Sequence, residues 1–246
     1  MRSTSLPVFL LGLLLTGAAT AQRMEAAPLL TPFSAARVGT TLPTGWEEFR
    51  LGPLKTPTEY RFVEDQGVVV LHAHAEAAAS GLLAPVKFDL NASPILQWRW
   101  KIANLIEGAD NAVASREDSP VRIILNIDGA RSQMSVADRA SSTLAKRVTG
   151  RDLPYAELMY IWSNRAPVGT VIANPHTHRV EMVVASSGPA NVGKWVTLRR
   201  NVVEDFRRAF NEAPGLLLEV GVLTDTDNTG ATVDAWYGDI RLLPAP

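Results

Sequence analysis

The chain reads as an all-β protein: a β-sandwich of jelly-roll type with one packed helix. Three observations predict this. Apolar and polar residues alternate with period two along many short runs, turn residues separate those runs, and one segment alone has a well-formed helical apolar stripe. The 246 residues are 46% hydrophobic and 20% charged, with a formal net charge of -1. That is an ordinary globular composition. It lacks the concentrated basic patch that nucleic acid recruits, so no nucleic-acid partner is expected.

The first element is a leader. Arg2 supplies a positive end, "LPVFLLGLLL" an apolar core, and Ala19 and Ala21 the A-x-A pattern of a cleavage site. Residues 1–21 are expected to be a signal peptide, leaving a mature chain that begins at Gln22 and is periplasmic or secreted. The apolar core falls well short of the ~20 residues a membrane span needs, and no later segment qualifies. No transmembrane segment is expected after cleavage, and no cysteine stands at the cleavage site to carry a lipid. The chain has no cysteine at all, which excludes disulfides, catalytic thiols and cysteine-based metal centres.

Residues 22–44 form a lead-in segment and residues 45–246 a single β-sandwich domain. "TEYRFVED" and "GVVVLHAHA" flank Gln66-Gly67 and predict a hairpin. In "ILQWRWKI", Leu96, Trp98, Trp100 and Ile102 share a buried face, and Ile95, Gln97, Arg99 and Lys101 share the other. "VRIILNID" turns Val121, Ile123, Leu125 and Ile127 inward and Arg122, Asn126 and Asp128 outward. "ELMYIWSN", "HRVEMVVAS", "GLLLEVGVL" and "TVDAWYGDIRLL" complete the strands. Ser132–Arg147 has weak apolar spacing and predicts a loop carrying a short helix. "NVVEDFRRAF" is the packed helix, with Asn201 as its cap and Val203, Phe206 and Phe210 as its stripe.

The segments "ASGL", "LQWRWKI", "LPYAELMYIWSN", "RRNVVEDFRRAFNEAPG" and "LTDTDNTGATVDAWYGDI" together give the chain a family likeness. It resembles a bacterial family of exported proteins catalogued as domain of unknown function 3047, from about Gly45 to Leu243. The resemblance implies a single domain and no established activity, so no catalytic residues come with it.

Chemistry concentrates in "LTDTDNTG". Asp225, Asp227, Thr229 and Gly230 match the opening of a calcium loop, in which close oxygens wrap a hard cation. The match stops at Trp236, which stands where the bidentate glutamate would be. Three readings stay open: an Asx-rich turn, a metal site, or an acid/base pair of the glycosidase kind that Glu219 could join across the sheet. The metal reading takes calcium as a structural ion held by Asp225, Asp227 and Asp239, gathered at one end of the sandwich. His72 with His74, and His176 with His178, have the i, i+2 spacing that puts two ligands on one strand face. They are read as polar positions on solvated strands, because no third ligand has a defined spacing.

Alternation turns Arg99, Lys101 and Arg122 away from the core. If their strands adjoin, they form one basic face suited to an anionic glycan, since guanidinium binds carboxylates through paired donors. The alternative is a solvated face balanced by Glu117, Asp118 and Asp128. The sequence therefore predicts an exported binding protein, with an acidic glycan or other cell-envelope polymer as ligand and Arg99, Lys101 and Arg122 as its contacts. The alternatives are a polysaccharide-cleaving hydrolase or lyase, and a structural envelope protein that binds another protein.

Overall fold

The computed structural model describes residues 30–149 and 153–245, so the leader and its cleavage site lie outside the described residues. Among these the chain runs β1 (Glu47–Arg50), β2 (Glu59–Asp65), β3 (Val68–Glu76), β4 (Ala79–Phe88), β5 (Ile95–Ile102), β6 (Ser119–Ile127), α1 (Val136–Thr149), β7 (Ala156–Ser163), β8 (Val171–Ala173), β9 (Val180–Ser187), β10 (Val196–Asn201), α2 (Val202–Phe210), β11 (Leu217–Asp225), β12 (Thr232–Tyr237) and β13 (Arg241–Leu243).

The strands form two sheets packed as a β-sandwich, as the alternation predicts. One has seven strands in the order β1-β4-β11-β6-β7-β9-β8. The other has six, ordered β10-β5-β12-β3-β2, with β13 paired to β5. Pairing is antiparallel except between β7 and β9, which run parallel. Gln66 and Gly67, at φ 55° and 75°, turn the β2–β3 hairpin through the left-handed conformation a tight hairpin needs.

Aromatic residues join the sheets. Trp98 and Trp100 point inward from β5 and meet Tyr160 and Trp162 of β7, with ring centroids 4.9 and 6.4 Å apart. The Trp100 indole donates to Ser186 Oγ at 3.0 Å, which satisfies its buried N–H. Tyr237, on β12, sends its hydroxyl to the other sheet. There it accepts from Arg122 N at 3.3 Å and donates to Leu223 O at 2.7 Å. The β11–β6 register shifts between Leu223 and Asp225, and the tyrosine hydroxyl bonds the backbone beside that irregularity.

Helix α2 is capped by Asn201, whose side chain accepts from Val203 N and Glu204 N. Its buried Asp205 accepts from Tyr160, Arg200 and Arg208, tying the helix to both sheets. The weakly patterned segment is a 14-residue helix, α1, longer than the short one expected. Val136 and Leu144 stay 78% and 63% exposed on it, so the apolar spacing was weak because those side chains do not pack inward.

Candidate functional site: an aromatic and basic sheet face

The outer face of the six-stranded sheet carries a row of basic, aromatic and acidic side chains. Its registers align Lys101, Trp236, His72 and Arg61 in one row across β5, β12, β3 and β2. A second row brings together Asp234, His74 and Glu59. Trp195, in the turn before β10, leans over the same surface. The Arg99 guanidinium lies 4.4 Å from the centroid of the Trp195 ring. The Lys101 ammonium lies 5.4 Å from Trp195 and 4.2 Å from Trp236. Asp65 accepts from Lys101 and, at 3.2 Å, from the Trp195 indole.

Gly238 makes room for this arrangement. A β-carbon there would come within 2.4 Å of the Arg99 side chain, so only glycine lets that arginine lie flat on the sheet. Arg199 extends the face from β10 and donates to Gln97 at 2.6 Å. Neither Arg99 nor Arg199 meets a carboxylate among the described residues. Beside them opens a cleft of about 470 Å³ lined by Ile95, Arg199, Asn201 and Leu243 among others.

The histidines divide. His72 Nε2 and His74 Nδ1 lie 2.7 and 3.0 Å from Asp234 Oδ1, while Arg61 donates to His72 Nδ1 at 3.3 Å. Burial lowers the His72 pKa in spite of Asp234, so the ring is neutral and receives the guanidinium donor on its free nitrogen. His176 and His178 sit exposed in the loop between β8 and β9, away from any strand.

Arg122 does not belong to this face. Strands β5 and β6 follow one another in sequence but lie in different sheets, so the single basic surface expected from adjacent strands does not form. Arg122 is 1% exposed. Its Nη1 donates to Glu117 Oε1 at 2.5 Å and its Nη2 to Asp225 Oδ2 at 3.1 Å. A guanidinium buried between two carboxylates holds structure together.

Asp225, Asp227 and Asp239 also part company. Strand β12 leads away from the Asp225 loop, and Asp239 lies beyond its far end. There Asp239 accepts from Ser34 N at 2.9 Å and Ser34 Oγ at 2.8 Å. The residue that does join the pair is Asp118, just before β6. One oxygen each from Asp118, Asp225 and Asp227 lies within 4.8 Å of the others. Asp118 fastens the loop by accepting from Asn228 N and Nδ2 and from Thr229 N and Oγ1. Burial works against its ionisation, but these bonds outweigh it and lower its pKa. Asp227 pairs with Lys55. Burial pushes Asp225 up to about 7, with Arg122 pulling down and Asp118 and Glu117 pushing further up.

The sequence leaves Trp195 open between the core and a sugar-stacking surface, and it does not mark Asp118 or Trp236 as site residues. In sequence Asp118 reads as a solvated counter-charge, and nothing local shows that β6 starts beside the β11–β12 loop. Trp236 had a signal: Ala235 and Tyr237 face inward, which by alternation turns Asp234 and Trp236 outward.

Together the fold and its surfaces define a two-sheet β-sandwich with a mixed aromatic and cationic sheet face. The chain belongs to the family described as protein of unknown function (DUF3047), whose model matches residues 44–241. No curated protein matches it in sequence. Among solved structures it is similar to the xyloglucanase domain of NopAA, a type three effector from Sinorhizobium fredii, in complex with cellobiose. That similarity has 10% identity and a TM-score of 0.46, covering 85% of this chain and 99% of the other. A family 30 carbohydrate-binding module of a cellulosomal cellulase from Clostridium thermocellum gives 9% identity and a TM-score of 0.38, over 88% of this chain and 96% of that one. The CBM22-1 xylan-binding domain from Paenibacillus barcinonensis gives 13% and 0.34, over 86% and 100%.

Proposed function

We propose that this protein is an exported carbohydrate-binding protein that holds an acidic glycan on the outer face of the six-stranded sheet. The observation that carries this reading is the pair of partly exposed indoles, Trp195 and Trp236, set on one surface with Arg99 and Lys101 against them. Indole faces accept the apolar faces of sugar rings, and an aromatic body with a polar tip suits a wet binding surface. The cations fix the rings, while Arg99 and Arg199, with no carboxylate partner among the described residues, are available to the ligand's own acidic groups. Arg122 is left out of the binding set. Titration of the mature protein with acidic and neutral polysaccharides tests the reading: acidic chains are expected to bind and the Trp236→Ala variant to lose them.

Calcium enters the same reading as a structural ion, with Asp118 in the place expected for Asp239. Four carboxylates, Glu117, Asp118, Asp225 and Asp227, face one guanidinium and one ammonium, Arg122 and Lys55. The excess negative charge on hard oxygen donors is what a divalent cation offsets.

A further inference from the structure

The seven-stranded sheet carries a second constellation on the face turned away from the other sheet. Leu125, Leu158 and Val220 point into the core, so their neighbours Asn126, Glu157 and Glu219 point outward. The registers pair Asn126 with Glu157 on one side and with Glu219 on the other. Two glutamates thus flank one asparagine, with their Cα atoms two strand spacings apart, roughly 9–10 Å. Asn126 Nδ2 donates to Glu219 Oε2 at 2.6 Å. Its Oδ1 is buried and meets no donor among the described residues, although the residue is 4% exposed. The buried acceptor lies between the two half-buried carboxyls, beside the Glu157 carboxyl paired with it in register, whose proton can fill it.

We propose that Glu157 and Glu219, set on either side of Asn126, are a general acid and a general base that hydrolyse a glycosidic bond with inversion. The two carboxyls of an inverting pair stand ~6.5–9.5 Å apart to leave room for water, and a pair separated by an intervening strand and side chain fits that spacing. Glu157 is the acid. Burial, with Glu219 and Glu117 near it, pushes its pKa up to about 7 against the pull of Arg122, which keeps it protonated in mildly acidic solution and in part at neutrality. Glu219, held by the Asn126 amide, is the base.

In the reaction the bond between the anomeric carbon and the glycosidic oxygen breaks, and its electron pair stays with that oxygen, which takes the Glu157 proton. Water adds its oxygen to the anomeric carbon from the opposite side and gives a proton to Glu219. The products are a free alcohol and a hemiacetal, and both glutamates return to their starting states by proton exchange with solvent. Redox chemistry plays no part. The site lies on the other sheet from Trp195 and Trp236, so its failure and the failure of the binding reading are separable.

The test uses the full mature chain. Reducing-end release is followed on polygalacturonate, alginate, carboxymethylcellulose and xylan, for wild type, Glu157→Gln and Glu219→Gln. At least one polymer is expected to be cleaved, with each glutamine variant slowed ~100-fold or more while its melting curve stays close to wild type. If a variant fails to fold, the wild-type pH profile reads the same group: the rate is expected to fall tenfold per unit above about pH 7, where Glu157 loses its proton. No cleavage of any polymer, variants that keep wild-type rates, or a profile that stays flat through pH 9 would each overturn the assignment.

Discussion

The Lys101 ammonium rests 4.2 Å from the centre of the Trp236 ring, on the strand beside it, while pairing with Asp65. One cation thus anchors an indole and a carboxylate at once, on a face where all three are partly exposed. Replacing it with methionine keeps the stem and removes the charge. Stability is expected to fall by about 1 kcal/mol, ~2–4 °C in melting temperature, because the pair is not deeply buried. Affinity for acidic polysaccharide is expected to fall with it. Unchanged affinity in Lys101→Met would remove the cation from the binding surface.

Arg99 and Arg122 should behave oppositely. Arg99→Ala leaves stability within about 1 kcal/mol and weakens acidic ligands about ten-fold or more, since a charge-assisted bond contributes roughly 1.5–3 kcal/mol. Arg122→Ala strands Glu117 and Asp225 in the interior and is expected to cost about 3–5 kcal/mol. Urea unfolding separates the two. A mild Arg122→Ala would show that its two carboxylates find other partners.

Calcium is expected to raise the melting temperature of the mature protein relative to a chelator control, because a ligand that binds only the folded state stabilises it by mass action. Asp118→Asn should abolish the difference and Asp239→Asn should keep it. Identical wild-type curves across millimolar calcium would leave Asp118 as a loop fastener alone.

Glu157 gives a pH signature in stability. Its folded pKa of about 7 lies above the ordinary 4.5, so the folded state holds the proton more tightly than the unfolded chain. Its favourable contribution is complete below about pH 4.5 and is lost as pH rises through 7. Glu157→Gln is exempt from that loss. The variant's melting temperature, relative to wild type, should therefore climb between pH 5 and pH 8. A constant difference over that range would contradict the buried, proton-holding carboxyl.

Export is read at the mature terminus. Intact mass of the secreted protein is expected to begin at Gln22, and a mass that retains residues 1–21 would contradict cleavage after Ala21.

Alternation made the fold legible. Leu96, Trp98, Trp100 and Ile102 are buried as the pattern of β5 required, and the Gln66-Gly67 turn and Asn201 cap fall where local chemistry put them. Period two tells which side of a strand a residue occupies, and Arg99 and Lys101 were placed by it. It does not tell which sheet the strand joins. By alternation alone Arg122 groups with Arg99, although β6 lies in the opposite sheet, and Asp239, a carboxylate on the closing strand, lies at the far end of β12 from Asp225. Asp118 and Glu219 reach their partners across 111 and 93 positions of chain, as the Thr229 and Asn126 bonds show, and no local signal encodes such meetings.

The most direct test is calorimetric titration of the mature protein with polygalacturonate, alginate and uncharged xylan, repeated with Trp236→Ala and Trp195→Ala. The expected result is binding to an acidic polymer, weakened about ten-fold or more by either substitution while the melting temperature holds. Absence of binding to both acidic polymers, or equal affinity in wild type and both variants, would contradict a glycan site on this face.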